Sequence, residues 1–207
     1  MKVVSVSVGL PREVEWRGRR ISTGIFKEPV HRRVSVRKLN LKGDGQADLT
    51  VHGGPAKAVY AYPVEHYSYW QAQLARDLPL GMFGENLTTE GLLEGAVNIG
   101  DRFRIGTAEL VVTQPRMPCF KLGIRFERPD MVKRFLVSRR TGWYFSVLQE
   151  GDVAAEDKME PIGRDDVGLS VADVTRLYVG AGDKETLQRA IDHEGLPEDW
   201  REFFRIA

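Results

Sequence analysis

Cysteine is the scarcest reactive residue in this 207-residue chain, with Cys119 standing alone. One cysteine excludes an internal disulfide, four-cysteine zinc sites and ordinary iron–sulfur clusters, which need several thiolates. Long apolar runs are also missing, and nothing approaches the roughly 20 residues that span a bilayer. A surplus of charge is missing too. With a formal net charge of +1, no global field recruits nucleic acid or an anionic membrane. Anion binding must therefore come from a local cluster of positive groups. There is no P-loop, no dinucleotide fingerprint, and no flavin, nicotinamide or iron–sulfur motif. The opening valines alternate with serine and stop at Gly9-Leu10-Pro11, which reads as a strand rather than a signal peptide. The expectation is a cytoplasmic protein that works on a small molecule, with no nucleic-acid or membrane partner.

Hydrophobic residues make up 42% and charged residues 29%, a globular composition. Up to about residue 163 the pattern is one of short strands separated by glycine-bearing turns. Val4, Val6 and Val8 alternate, as do Val34 and Val36. Val97–Ile99, Arg102–Ile105, Ala108–Thr113 and Trp143–Leu148 continue the theme. Such strands favour a barrel or sandwich over a parallel doubly wound sheet. Two helices interrupt them. One begins near Pro63 and carries Tyr67, Trp70 and Leu74; the other begins near Pro129-Asp130 and carries Met131, Phe135 and Leu136. Both are expected to cover barrel ends without contributing chemistry.

Beyond a charged linker from Glu156 to Gly168 the texture changes to three short helices. Ser170 and Asp183 are placed to cap the first two, Gly195 stops the second, and Pro197 opens the third. Trp200, Phe203 and Phe204 form the last helix's apolar stripe. From Ser170 onward eight acidic residues face five basic ones. DNA binding depends on neutralising phosphates, so this acidic unit is expected to dock on the main domain or a protein partner. The domains are accordingly 1–163 and 164–207.

The chemistry concentrates in Thr113-Gln114-Pro115-Arg116-Met117-Pro118-Cys119-Phe120-Lys121. Two prolines stiffen the loop that follows a strand. Arg116 and Lys121 flank the thiol, and cations favour the thiolate that binds metal or attacks. A soft ligand of this kind does not suit magnesium or calcium. Three further segments look like parts of the same pocket. Thr23–Lys27 can bring Lys27 to a phosphate. Gly43–Lys57 includes His52, Gly53 and Gly54, whose backbone amides can approach a ligand closely. Phe83–Thr88 offers the Glu85 carboxylate and the Asn86 amide for reading a heterocycle's edges.

On these residues the sequence resembles the MOSC domain family, in its YiiM-like branch. The resemblance covers Thr23–Val30, Gly43–Tyr62, Phe83–Gly106, Gln114–Leu122 and Gly142–Gly151, and the tail resembles the three-helix domain of that branch. It implies a MOSC-type β-barrel followed by a small three-helix unit, a mainly β fold with helices, binding molybdenum cofactor (molybdopterin with molybdenum). It implies that Cys119 is both the metal ligand and the catalytic residue. Lys27, His52, Gly53, Gly54, Glu85, Asn86 and Arg116 then line the cofactor or substrate site. Relatives in the family reduce N-hydroxylated compounds of the hydroxylaminopurine and amidoxime type, so a separate electron-donating reductase is implied. A cofactor carrier without turnover is the alternative, and a cysteine hydrolase pairing Cys119 with His52 is a more distant one. One departure stands out. Ser146 occupies a position where the family pattern has arginine, and Arg139 or Arg140 are the candidates to replace it.

Overall fold

Alternating small apolar residues make the first strand, β1 (Lys2–Val8), but a bulge between Val3 and Ser5 shifts its alternation. The side chains that reach the core are therefore Val3 and Val6, while Val4 and Val8 are only half-buried. β2 (Arg12–Trp16) and β3 (Arg19–Thr23) form a hairpin absent from the sequence expectation. Its two-residue turn, Arg17-Gly18, has φ of 53° and 74°, the positive pair that such a tight connection requires. β4 (Glu28–Val30), β5 (Val34–Val36) and β6 (Val59–Pro63) precede α1 (Glu65–Leu74). β7 (Leu87–Glu90), β8 (Arg102–Ile105) and β9 (Ala108–Pro115) follow it. Next come α2 (Phe120–Phe126), α3 (Met131–Ser138), β10 (Trp143–Gln149), β11 (Gly151–Val153) and β12 (Met159–Gly163). The last three elements are α4 (Val171–Tyr178), α5 (Lys184–Asp192) and α6 (Glu198–Ile206). This computed structural model describes residues 1–47 and 53–206.

Eight strands join in the order β12-β8-β9-β10-β6-β7-β1-β4, antiparallel except for the β6–β7 pair. β5 with β11 and β2 with β3 form two separate ribbons. Among the described residues the strand pairing does not show the expected closed barrel, since β12 and β4 stand at opposite ends of the order. β1, the neighbour of end strand β4, does curl toward the segment that leads into β12: Val3 N donates to Asp157 O at 2.9 Å and Glu156 N to Val3 O at 2.8 Å. The expected linker is partly strand, since Met159–Gly163 pairs with β8. Val97–Ile99 is conversely not a strand; it makes one isolated bridge, from Asn98 to Ser170.

β6 explains why two cores exist. Val59 and Ala61 face one apolar cluster, and Tyr60 and Tyr62 face another, as the two-residue period of a strand dictates. The first cluster runs through the sheet into the tail, where Val171, Val174, Ala190, Trp200 and Phe204 join it. The second is aromatic and gathers Tyr67 and Trp70 of α1, Phe83, Phe126 of α2, and Met131 and Phe135 of α3. The capping predictions hold. Ser170 and Asp173 form a reciprocal capping box, and Asp183 accepts from Thr186 N at 2.8 Å. Phe203 departs from its expected stripe. It is 40% exposed and packs on Tyr178, with ring centroids 5.4 Å apart.

Candidate functional site

β9 ends at Pro115, and the chain crosses to Cys119 before α2 begins. The thiol therefore stands where a strand gives way to a short helix. Its backbone is extended (φ −119°, ψ 175°), and its carbonyl accepts from Leu122 N at 2.9 Å. Beside it opens a pocket of about 640 Å³, mouth included, which Lys27, Asn86, Arg116, Cys119 and Lys121 line together. Tyr60, Phe83 and Tyr144 give it aromatic walls. Two glycines make it possible. A Cβ on Gly24 would lie 2.3 Å from Gly45 O, so only glycine lets these two pocket strips touch. Gly84, at φ +80°, has Ile25 where its Cβ would be.

A buried polar knot holds one wall. Lys27 Nζ donates to both carboxylate oxygens of Asp44. Asp44 also accepts from Gly9 N at 3.0 Å and from Asn86 Nδ2 at 2.9 Å. Asn86 Oδ1 in turn accepts from Tyr60 N at 3.0 Å. Lys27 is 7% exposed, and burial pulls its ammonium below its ordinary pKa although Asp44 resists the fall. Lys27 and Asn86 are thus both committed to Asp44, which the sequence reading did not single out.

Arg116 is different. It is buried, yet its Nη1 has no hydrogen-bond partner. Its guanidinium lies 5.5 Å from the Tyr60 ring centroid and 5.0 Å from that of Phe135. Burial opposes its charge, but the Tyr60, Tyr144 and Cys119 side chains outweigh that and hold its pKa above the usual value. Burial also raises the Tyr144 phenol, against the opposing pull of Arg116. The pocket therefore holds a fixed cation with spare donor capacity, a neutral phenol and a thiol.

Not every predicted residue arrives there. Glu85 is fully buried and occupied, accepting from Tyr67 Oη, from Gly81 N at 3.0 Å, from Phe83 N at 3.1 Å and from Thr88 Oγ1 at 3.0 Å. It shapes the Gly81–Glu85 turn and does not line the pocket. Gly53 and Gly54 are absent from the described lining, and His52 lies outside the described residues. Ser146 sits mid-strand opposite Val111, Arg140 stacks 3.8 Å from the Tyr69 ring centroid, and Arg139 caps α3. None of the three lines the pocket. Tyr60 and Tyr144 were missed as site residues. Their signal was weak, since a tyrosine in a strand reads equally well as core.

A second buried pair secures Arg116 from behind. Glu94 accepts from Gly142 N at 2.7 Å, and its Oε2 lies 2.9 Å from His66 Nε2. Gly142 O accepts from Arg116 N at 3.5 Å. Burial disfavours the Glu94 carboxylate, but the bonds to His66 and Gly142 prevail and lower its pKa. A carboxyl lowered on folding stabilises above its unfolded pKa and loses that stability as pH falls through the folded value. Urea midpoints should therefore drop as pH is taken below the ordinary value of 4.5. In Glu94→Gln this slope should flatten, and an unchanged slope would assign the acid sensitivity elsewhere.

The class is thus a sheet-dominated protein with six described helices and a thiol and a guanidinium lining one pocket at a strand end. The MOSC domain matches residues 48–160, and the chain belongs to that family, in its YiiM-like branch. It is 43% identical over 203 residues to the uncharacterized protein YflK of Bacillus subtilis, covering 98% of this chain and 92% of that one. It is 36% identical over 187 residues to protein YiiM of Escherichia coli, covering 86% and 81%. Against a protein of Gibberella moniliformis named "Reductase" the identity is 34% over 164 residues, 77% of this chain but 29% of that longer one. The crystal structure of YiiM from Geobacillus stearothermophilus superposes with a TM-score of 0.82 at 33% identity, covering 99% and 97%. Among the described residues no helix is long and apolar enough to cross a membrane.

Proposed function

We propose that this chain binds molybdenum cofactor in the Cys119 pocket and, in the cytoplasm, reduces N-hydroxylated small molecules with electrons from a separate reductase. The observation that carries the reading is the pairing of Cys119 with a buried Arg116 whose Nη1 has no partner, both lining one pocket. The residues fit the group. A thiolate is the soft ligand that a high-valent or soft metal selects, and a buried guanidinium nitrogen left without a partner is costly until an acceptor meets it. The fungal relative named "Reductase" supports a redox role.

Cys119 would hold the metal, and Arg116 with Lys121 would hold negative charge on the pterin or substrate. The cofactor, when bound, supplies the two-electron chemistry. Reduction of an N–OH group breaks the N–O bond, consumes two electrons and two protons, and releases water. Tyr60, Phe83 and Tyr144 would sandwich a heterocycle and exclude solvent. The Tyr144 hydroxyl, kept protonated by burial, would donate a hydrogen bond to the substrate's N–OH oxygen. Protein purified anaerobically from a cofactor-competent host should contain near-stoichiometric molybdenum and pterin. With a competent electron donor it should reduce a hydroxylaminopurine or an amidoxime. Neither metal nor pterin, even after reconstitution, would refute cofactor binding; loading without turnover would leave a carrier.

A further inference from the structure

Outside the pocket lining, two guanidinium groups share one aromatic ring. Arg12 Cζ lies 3.7 Å from the Phe26 ring centroid, and Arg125 Cζ lies 5.1 Å from the same centroid. Arg125 Nε is buried without a hydrogen-bond partner. No carboxylate among the described residues forms an ion pair with either arginine. Burial and the Arg12 charge both pull Arg125 below its ordinary pKa, and Glu85, Tyr67 and Glu28 act on it only from a distance. One cation over a phenylalanine is ordinary. A second beside it brings like charge without a counter-ion, an arrangement that an anion relieves.

Its position says what that anion belongs to. Arg125 follows Lys121 by one helical turn on α2, so the two share a face. Lys121 lines the pocket, as do Ile25 and Lys27 on either side of Phe26. A positive track therefore leads from the pocket rim to the β2–β3 hairpin. Guanidinium forks match phosphate oxygens bidentately, which a lysine cannot do.

We propose that Arg12 and Arg125, held together on Phe26, form a subsite for a phosphomonoester dianion carried by whatever occupies the Cys119 pocket. This deepens the proposed function: the substrate is a nucleotide rather than a free base, unless the phosphate is the cofactor's own.

The test is calorimetric titration with adenosine monophosphate and adenosine at low salt. The protein is the full chain made in a host unable to synthesise the pterin, and no activity is needed. The monophosphate should bind at least tenfold more tightly than the nucleoside, and Arg12→Gln/Arg125→Gln should remove that preference. Arg12→Gln alone, at an exposed hairpin position, should remove most of it without risk to the fold. Equal binding of the two probes, or a preference that survives the double substitution, overturns the subsite. Repeating the titration on cofactor-loaded protein separates the sources. A preference retained there assigns the subsite to substrate. A preference lost there, with pterin content reduced in the double variant, assigns it to the cofactor. Failure of the cofactor reading itself would appear as absent metal and pterin, and would leave the first titration interpretable.

Discussion

Cys119→Ala is expected to fold as well as the parent and to lose its molybdenum. The stability half of this follows from local geometry. Cys119 stands at the start of α2 with extended backbone, its side chain is not the acceptor that caps the helix, and it is only partly buried. Truncating such a side chain changes stability by about 0.5 kcal/mol or less. The metal half follows from ligand chemistry. Within the Gln114–Lys121 loop there is no other sulfur donor than Met117, whose thioether is neutral. Among the described residues no group of three His, Cys, Asp or Glu side chains could hold a metal instead. Molybdenum content should fall at least tenfold and reduction should cease, while the thermal midpoint stays within about 2 °C. Cys119→Ser should behave in the same way, because it replaces a soft anionic donor with a hard neutral one. Metal and turnover retained in either variant would remove the thiolate from the mechanism.

The cysteine loop was legible because its signal is local. Prolines, a cation and a thiol within a few residues describe their own geometry. Helix caps were legible for the same reason, since Ser170 and Asp183 act on amides three residues away. What escaped was either exposed or long-range. β2 and β3 are mostly charged and solvent-facing, so their alternation carries almost no hydrophobic signal. Only Arg17-Gly18 hinted at a hairpin. β6 escaped for the opposite reason: both of its faces are buried, leaving no alternation to detect. The open ends of the sheet depend on how far β1 curls toward residues 156–159, which no local pattern encodes. In the site, Lys27, Asn86 and Arg116, expected to line one site with Cys119, line one pocket with it. The bonds that occupy the first two were not legible, because their partner Asp44 lies 17 residues beyond Lys27 and 42 before Asn86. A glycine on each side of Asp44 reads as a turn, and nothing in the turn says that its carboxylate points inward.

Asp44→Ala is accordingly expected to be the most destabilising single change at the site. The Asp44 side chain is fully buried and receives Lys27, Gly9 N and Asn86 Nδ2. Its removal strands an ammonium and Gly9 N at once, and leaves Asn86 Nδ2 only its 3.4 Å bond to Ser7 O. Breaking a buried pair from one side costs about 3–5 kcal/mol, a fall of on the order of 10 °C in melting temperature for a chain of this size. Removing both charges should cost less than removing one. Lys27→Met/Asp44→Asn keeps an acceptor for Gly9 N while abolishing the stranded cation, so it should melt above Asp44→Ala. The pH dependence gives a second signature. Without Asp44, burial acts on Lys27 against the Glu85 charge alone, and its folded pKa falls further below 10.5. The unfolded chain then binds more protons than the folded one across that interval, so the variant's stability should recover as pH is raised through it. The parent should show a smaller rise over the same range. Chemical denaturation of the three proteins from pH 7 to pH 10 measures both effects. If Asp44→Ala melts within about 2 °C of the parent at pH 7, the knot is not what holds the pocket wall, and Lys27 is free to meet a ligand directly.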